Sequence, residues 1–527
     1  MEPAATLESR MSGHIAGRPD GEVIECLDPR SGASTGVVRV TPPDAVGPAV
    51  AACRVAAHAW RARPLRDRRD AIAALRATFL AGADEAVALL AAECGRPAAE
   101  AWTAEITAND GLFRWWLDHI DDLMAPERLA LSPIEYPGKR AVLHLEPVGV
   151  IGLILPWNFP LALALRSLVP ALLAGNGVVM KPSEHTARLG EWLGARCAEV
   201  LPSGLVQVVQ GGAAQGQALA TSDLDALRFT GSVATGRAVA RLAEPRGVRV
   251  SLELGGKDAA VVLADADLDR AAAGVVWAAF AFAGQNCAAV ERCYVHESVH
   301  DAFVERVVAR TRALRPLVDV GPLVTPTQLE TVTAHLAAAV AGGATVAAGG
   351  GEPGPGWFHP PTVLTDVRDD MDLMQHETFG PLLPIARFSD LDRVIDRVNG
   401  TPFGLTTSLW TRDIVRGERL ARRLSCGVVT LNNHAFTGAL PGAAWTGVGD
   451  SGGGVTNSRH SLYEMVRPRT VVTDTQSGDR ELWWFPYNDA LVQAASGLVE
   501  FSRPGGRRLQ GIRTALSGLL HRWKAPT

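Results

Sequence analysis

The chain has no Cys-x-x-Cys pair. Its seven cysteines, Cys26, Cys53, Cys94, Cys197, Cys287, Cys293 and Cys426, are scattered and odd in number. That spacing excludes a disulfide framework and a thiolate zinc site, and it fits a reducing compartment. Histidine offers no metal site either, since His144-Leu145-Glu146 has no second histidine or cysteine nearby. Long apolar runs are missing. Leu161 to Ala174 is broken by Arg166 and Pro170 and is too short to span a bilayer. Residues 1–20 carry charges and prolines around no apolar core, so no secretory leader is read and a cytoplasmic protein is expected. Basic charge is not in excess. A net charge of −5 gives no electrostatic argument for nucleic acid, and aromatic and basic residues do not interleave as on a single-strand platform. There is no internal repeat and no long low-complexity tract. The dinucleotide fingerprint Gly-x-Gly-x-x-Gly is absent too; the nearest string is Gly211-Gly212-Ala213-Ala214-Gln215-Gly216.

What is present fits a soluble α/β protein. A length of 527 residues suits two or three domains, and 47% hydrophobic with 20% charged residues is an ordinary globular balance. Short strands are expected within residues 1–40, turning at Pro29-Arg30-Ser31-Gly32, and helices from Pro43 to Leu89 and over 98–122. Ala141 to Pro147 reads as a strand after the turn Pro137-Gly138, a hairpin that leaves the domain body. Val148 to Leu155 is almost wholly apolar, as in a parallel strand covered on both faces. Strands at 178–180, 206–210, 226–229 and 248–254 then alternate with helices, the pattern of an open α/β sheet. A second α/β unit follows, with strands at 259–263, 293–296, 344–348 and 427–431 and helices at 268–283, 299–314 and 329–340. Thr470 to Thr473 reads as an edge or intersubunit strand.

Four stretches carry residues suited to chemistry. Gly284-Gln285-Asn286-Cys287-Ala288-Ala289 places one thiol among small residues; such a cysteine is either an inert core residue or a nucleophile. Glu253, at a strand end before Gly255 and Gly256, is a general base if burial raises its pKa, or else a salt-bridged surface acid. Asn158, in the turn Pro156-Trp157-Asn158-Phe159-Pro160, is either an oxyanion donor or an Asx-turn residue. Gly231-Ser232 after Phe229 resembles a phosphate seat at a helix start, with Gly211 and Gly216 one strand–helix step earlier. Lys181 and Glu184 follow another strand end, where a carboxylate can accept both hydroxyls of an adenosine ribose. Gly449-Asp450-Ser451-Gly452-Gly453 matches Gly-x-Ser-x-Gly but follows no buried strand, so a flexible loop is expected rather than a nucleophile elbow.

Taken in order, these motifs resemble the NAD(P)-dependent, non-phosphorylating aldehyde dehydrogenase superfamily. The resemblance runs from about Gly32 to about Thr473. It rests on Pro156-Trp157-Asn158-Phe159-Pro160, Gly175 to Glu184, Phe229-Thr230-Gly231-Ser232, Glu253-Leu254-Gly255-Gly256-Lys257, Gly284-Gln285-Asn286-Cys287 and Glu377-Thr378-Phe379-Gly380-Pro381. It implies an α/β fold with a Rossmann-like cofactor domain (1–125 and 146–254), an α/β catalytic thiol domain (255–440), and small β oligomerisation elements (126–145 and 455–480). Residues 481–527 would be a C-terminal extension. It implies Cys287 as nucleophile, Asn158 as oxyanion donor and Glu253 as general base. It also implies a cofactor seat of Trp157, Lys181, Ser183, Glu184, Gly211, Gly216, Phe229, Gly231, Ser232, Leu254, Glu377 and Phe379. The cofactor implied is NAD, with NADP as the alternative, and the assembly a homodimer or homotetramer. The reaction implied is oxidation of a small-molecule aldehyde to the acid through a thiohemiacetal and a thioester on cysteine. Two alternatives remain: a non-catalytic scaffold or binding protein that keeps the fold, and an NADP-preferring or acyl-transferring dehydrogenase.

Three features depart from the family's pattern or specialise it. Ala444, Thr446 and Gly449 stand where relatives carry proline, glycine and lysine, near the substrate mouth or subunit contact. Phe113, Trp115, Trp116, Trp157 and Phe436 suggest an apolar funnel, hence apolar aliphatic or aromatic aldehydes. The tail joins Trp483-Trp484-Phe485-Pro486-Tyr487 to an amphipathic basic helix from Leu509 to Trp523, suited to docking on its own protein, on a partner or on a membrane surface.

Overall fold

The computed structural model describes residues 23–133, 135–477, 481 and 483–524. Expectations for residues 1–22 and for the junction at 478–480 lie outside the described residues. The chain divides into two compact units. The larger comprises the described residues up to Ala125 together with His144–Arg469; the smaller comprises Pro126–Leu143 and the described residues from Thr470.

Two sheets organise the larger unit. The first has five parallel strands in the order Val206–Val208, Gly177–Lys181, Val150–Ile154, Ala226–Thr230, Arg249–Glu253. Its central strand is apolar throughout because both faces are covered. Ile151 and Leu153 point into one core, with the helix Pro160–Ala174, and Val150 and Ile154 into another, beside the helix Pro43–Arg61. Alternate residues of a strand face opposite sides, so two cores require apolar residues at every position. The carboxyl ends of these strands lead directly into Pro156 to Asn158, Ser183-Glu184, Gly211, Gly231-Ser232 and Leu254-Gly255. In open parallel sheets this is the edge where ligands sit.

The second sheet has seven strands: Thr345–Ala348, Thr362–Thr365, Leu382–Phe388, Arg292–His296, Ala259–Val262, Thr406–Trp410, Val428–Leu431. Every pairing is parallel except the first. The sequence pattern does not announce Thr362–Thr365, Leu382–Phe388 or Thr406–Trp410. Pro384 interrupts one, and threonines fill another, although Thr406–Trp410 is buried along its whole length.

Several local expectations are corrected. The helix predicted over 268–283 ends at Phe280, and a tight turn, Ala281–Gly284, follows with Phe282 and Ala283 at φ 51° and 53°. Non-glycine residues hold such angles only when their surroundings impose them. Here Glu100 accepts the Phe282 amide at 2.8 Å, and the Arg96 guanidinium lies 3.7 Å over the Phe282 ring. The helix over 98–122 contains a wider π segment, Ala101–Thr107, which turns Glu105 inward. Glu105 accepts from the Ala162 amide at 2.7 Å and so caps the buried helix that follows Asn158. Phe113 and Trp116 are fully buried core residues, not funnel walls. The 449–453 stretch is anchored rather than loose: Ser451 is buried, its Oγ accepts from Gly404, and its carbonyl accepts from Leu254.

A three-stranded sheet in the order Val466–Asp474, Lys139–Pro147, Glu127–Leu129 has residues 127–129, 139–143 and 470–474 in the smaller unit, and its first strand is longer than the Thr470–Thr473 edge expected. Lys139 pairs with Asp474 at 2.8 Å and with Glu481. The tail forms two helices, Asp489–Ser502 and Arg508–Lys524, where the sequence pattern pointed to one. Among the described residues no helix is long and apolar enough to cross a membrane.

Candidate active site

One cavity of about 260 Å³ gathers residues from six separate stretches of chain. Trp157, Asn158, Gly231, Ser232, Leu254, Cys287, Glu377 and Phe379 all line it. Their assembly follows from the two sheets: the first delivers Trp157, Ser232 and Leu254 at its strand ends, and the turn after Phe280 delivers Cys287.

Cys287 is only partly buried, and its surroundings are apolar: Ala288, Leu405 and Trp445, with Val428 and Ala435. Burial raises its thiol pKa, as do the carboxylates of Asp258, Glu253 and Glu377; Arg166 pulls it down. Cys293, six residues on, is different. It lies inside the strand Arg292–His296, is fully buried in the core of the seven-stranded sheet, and does not line the cavity.

Asn158 is buried, with its side-chain amide donating to the Gln285 carbonyl at 3.2 Å. Arg96 fixes that turn by donating to the Asn158 carbonyl. Gln285 braces the thiol loop in three directions: its amide nitrogen donates to Phe282 at 3.1 Å and Pro322 at 3.3 Å, and its oxygen accepts from Val324 at 2.8 Å. Two glycines bring the 253–257 strand end against this loop. A Cβ on Gly256 would stand 2.5 Å from the Cys287 carbonyl, and one on Gly255 would stand 2.3 Å from the Glu377 carboxylate. The Glu253-Leu254-Gly255-Gly256-Lys257 string therefore has a steric reason, close approach of backbone to the thiol loop.

Glu253 is buried and one of its carboxylate oxygens has no hydrogen-bond partner. Burial lifts its pKa to about 7, opposed by Arg228 and Arg166. Glu377 accepts from the Gly256 amide at 2.9 Å, and burial lifts its pKa to about 8, with Glu291 adding to the rise. Glu291 is the fastener of that loop. It pairs with Lys257 and accepts from the Thr378 and Phe379 amides at 2.8 and 2.7 Å, holding Phe379 at φ 50°. Phe379 packs edge-on against Trp157, ring centroids 5.5 Å apart.

Glu253, Lys181, Ser183, Glu184, Gly211, Gly216 and Phe229 stand around this cavity rather than in its lining. Lys181 and Glu184 pair at 3.2 Å, and Lys181 is the nearest neighbour that a Cβ on Gly216 would meet. Lys181 holds the Glu184 carboxyl below its ordinary range against burial. Ser232 caps the helix Val233–Ala243, with Gly231 resting on the Phe229 ring. Ser183 accepts from the His185 amide, and Gly211 turns the chain after Val206–Val208 at φ 148°. A largely buried carboxylate, a paired lysine and a serine-capped helix start are the donor and acceptor set that a dinucleotide's ribose and pyrophosphate require.

Sequence reasoning missed Arg96, Glu100, Glu105, Gln285's bracing role, Glu291 and Arg166. All act through contacts distant in sequence, so no local spacing marks them. Arg166 projects from the buried helix Pro160–Ala174 beside Gly438, within electrostatic reach of both Cys287 and Glu253. Among the described residues it makes no hydrogen bond or ion pair.

A thiol, an amide donor and a raised-pKa carboxylate line one cavity beside strand ends suited to a dinucleotide, the outline of a cysteine-dependent oxidoreductase. The sequence profile described as "Aldehyde dehydrogenase family" matches residues 16–471. The 4,4'-diapolycopene aldehyde oxidase of Methylomonas sp is 34% identical over 487 residues, 91% of each chain. The putative succinate-semialdehyde dehydrogenase [NADP(+)] 2 of Mycobacterium ulcerans is 35% identical over 443 residues, covering 81% of this chain and 83% of that one. The crystal structure of Mycobacterium tuberculosis aldehyde dehydrogenase complexed with NAD+ superposes with a TM-score of 0.82 at 33% identity, covering 88% of this chain and 97% of that one. The chain belongs to the aldehyde dehydrogenase family. It is an enzyme of the non-phosphorylating branch, and its cofactor is NAD(P).

Proposed function

We propose that this protein oxidises an apolar aldehyde to its carboxylic acid, with Cys287 as nucleophile. The observation that carries the assignment is the contrast between two cysteines. Cys287 reaches the cavity that Asn158 and Glu377 share, whereas Cys293 is sealed in the sheet. In this reading the Cys287 sulfur bonds to the aldehyde carbon, and Asn158 turns from the Gln285 carbonyl to donate to the developing oxyanion. One such donor contributes roughly 3 kcal/mol to the transition state. When bound, NAD(P) supplies the hydride acceptor. Trp157, Leu254, Glu377 and Phe379 would hold its nicotinamide half, Gly231 and Ser232 its pyrophosphate, and Lys181, Ser183, Glu184, Gly211, Gly216 and Phe229 its adenosine half. Glu184 favours NAD, because a 2′-phosphate would meet a carboxylate. Glu253, titrating near 7, takes a proton from the water that attacks the Cys287 thioester; the carbon–sulfur bond breaks, the acid is released and the sulfur leaves as thiolate.

Residues 1–125 and 146–254 serve as the cofactor domain, 255–440 as the catalytic domain, and the 126–145 and 455–480 segments as homo-oligomer contacts. Seven unpaired cysteines support a reducing, cytoplasmic setting. The apolar substrate reading rests on Ala288, Leu405 and Trp445 around the thiol. Arg166 favours a second substrate reading, an aldehyde with a remote carboxylate, which its unpaired guanidinium would hold.

The test is NADH formation with short, long and aromatic aldehydes and with succinate semialdehyde, in wild type and Arg166→Met. A kcat/KM led by apolar aldehydes in both proteins supports the first reading. A lead by succinate semialdehyde that Arg166→Met abolishes selectively replaces it with the second. Turnover without an acyl adduct on Cys287 overturns the nucleophile assignment.

A further inference from the structure

The tail hairpin is built inside out for a soluble helix pair. Its seam is made of small residues. A Cβ on Gly497 would lie 2.3 Å from the Ala515 nitrogen, and one on Gly518 would lie 2.3 Å from the Ala494 nitrogen. The two backbones therefore touch, the way small-residue helix pairs pack in lipid. The large apolar side chains turn outward instead. Leu509 is 78% exposed, Val492 65% and Leu520 60%, with Val499 and Leu516 also more than half exposed. At about 100° per residue, Leu491, Val492, Leu498 and Val499 share one arc beside the seam of the first helix. Leu509, Ile512, Leu516 and Leu520 share the matching arc of the second. The helices run antiparallel, so equal offsets from the seam put both arcs on the same side of the hairpin. The opposite side carries Gln493, Ser496, Glu500, Gln510 and Ser517.

Charge and aromatics say what covers that face. Between 483 and 524 six basic residues, four of them Arg503, Arg507, Arg508 and Arg513, oppose two acids, Asp489 and Glu500, in a chain whose net charge is −5. Exposed Trp483, Trp484, Phe485 and Tyr487 gather at the open end of the hairpin, and such rings settle at the headgroup level of a bilayer. At 14 and 17 residues the helices are about 21 and 26 Å long, short of the roughly 30 Å hydrocarbon core. We propose that the 483–524 hairpin lies flat on an anionic lipid bilayer, its apolar face among the acyl chains and its arginines at the headgroups. The family profile stops at residue 471, so this is a property of the extension and is independent of the aldehyde assignment.

The experiment is flotation of the full chain with vesicles of phosphatidylcholine alone or with phosphatidylglycerol, at low and high salt. Aldehyde-dependent NADH formation in the same samples reports folding. Binding is expected only to the anionic vesicles, weakened by salt. Leu509→Glu with Leu516→Glu should lower it roughly tenfold or more while turnover stays, and Ser496→Glu on the polar side should leave it nearly unchanged. No wild-type flotation, or equal flotation with neutral vesicles, overturns the proposal. So does absence of flotation together with a solution mass that falls in the double variant, which would make the face an interface between copies.

Discussion

Glu253→Gln separates two consequences of one buried carboxylate. In the cofactor-free protein the group is buried, one oxygen unpartnered, and its pKa is about 7 against an ordinary 4.5. A raised acid contributes stability that is complete below pH 4.5 and is lost as pH rises through 7. The difference corresponds to about 3 kcal/mol between the two ends of that window. Gln cannot ionise, so the stability of wild type relative to the variant should fall by about 3 kcal/mol from pH 4.5 to pH 8. Taking the difference between the two proteins cancels Glu93, Glu105 and Glu377, whose values are also raised. Denaturant unfolding followed by tryptophan fluorescence across that range measures it. In catalysis the same change removes the water-activating base. A rapid burst of NADH close to one per site should survive while steady-state turnover falls roughly 10²–10⁴-fold. If the stability difference is flat with pH, the carboxylate is not charged against its burial and the reasoning fails. If burst and steady state fall together, Glu253 acts before the thioester or merely holds the site in shape.

Other substitutions test the remaining assignments. Cys287→Ala should abolish both burst and turnover, whereas Cys293→Ala should keep both and lower stability by about 1 kcal/mol through lost core packing; the reverse pattern would reassign the nucleophile. Gly256→Ala forces a Cβ against the Cys287 carbonyl, so the thiol loop must shift, and kcat should fall about a hundredfold with folding retained; unchanged kcat would show that the loop position is not critical. Glu184→Ala should raise KM for NAD and narrow the gap to NADP, measured as the ratio of kcat/KM for the two cofactors; an unchanged ratio would remove Glu184 from the ribose seat.

The sequence by itself determined much of the strand order of events along the chain. Val150–Ile154 was legible because a strand between two cores must be apolar at every position, and Val206–Val208, Ala226–Thr230 and Arg249–Glu253 followed from alternation with helices. The motif strings also drew attention to Cys287, Asn158, Glu253 and Glu377, since each stands in or beside a run of small or cyclic residues. Tertiary structure alone decided what holds them. Glu291, Arg96 and Glu100 reach their partners across tens to hundreds of residues, and a buried charge is stabilised only by groups that folding brings to it. The same holds for the end of the helix at Phe280, where residue preference allowed continuation and the Glu100 contact imposed a left-handed turn. The tail shows the division most clearly. Its amphipathic spacing was readable in the second helix, but the glycine seam, the first helix and the shared apolar side exist only once the two helices pack, because a face is defined by what lies against its back.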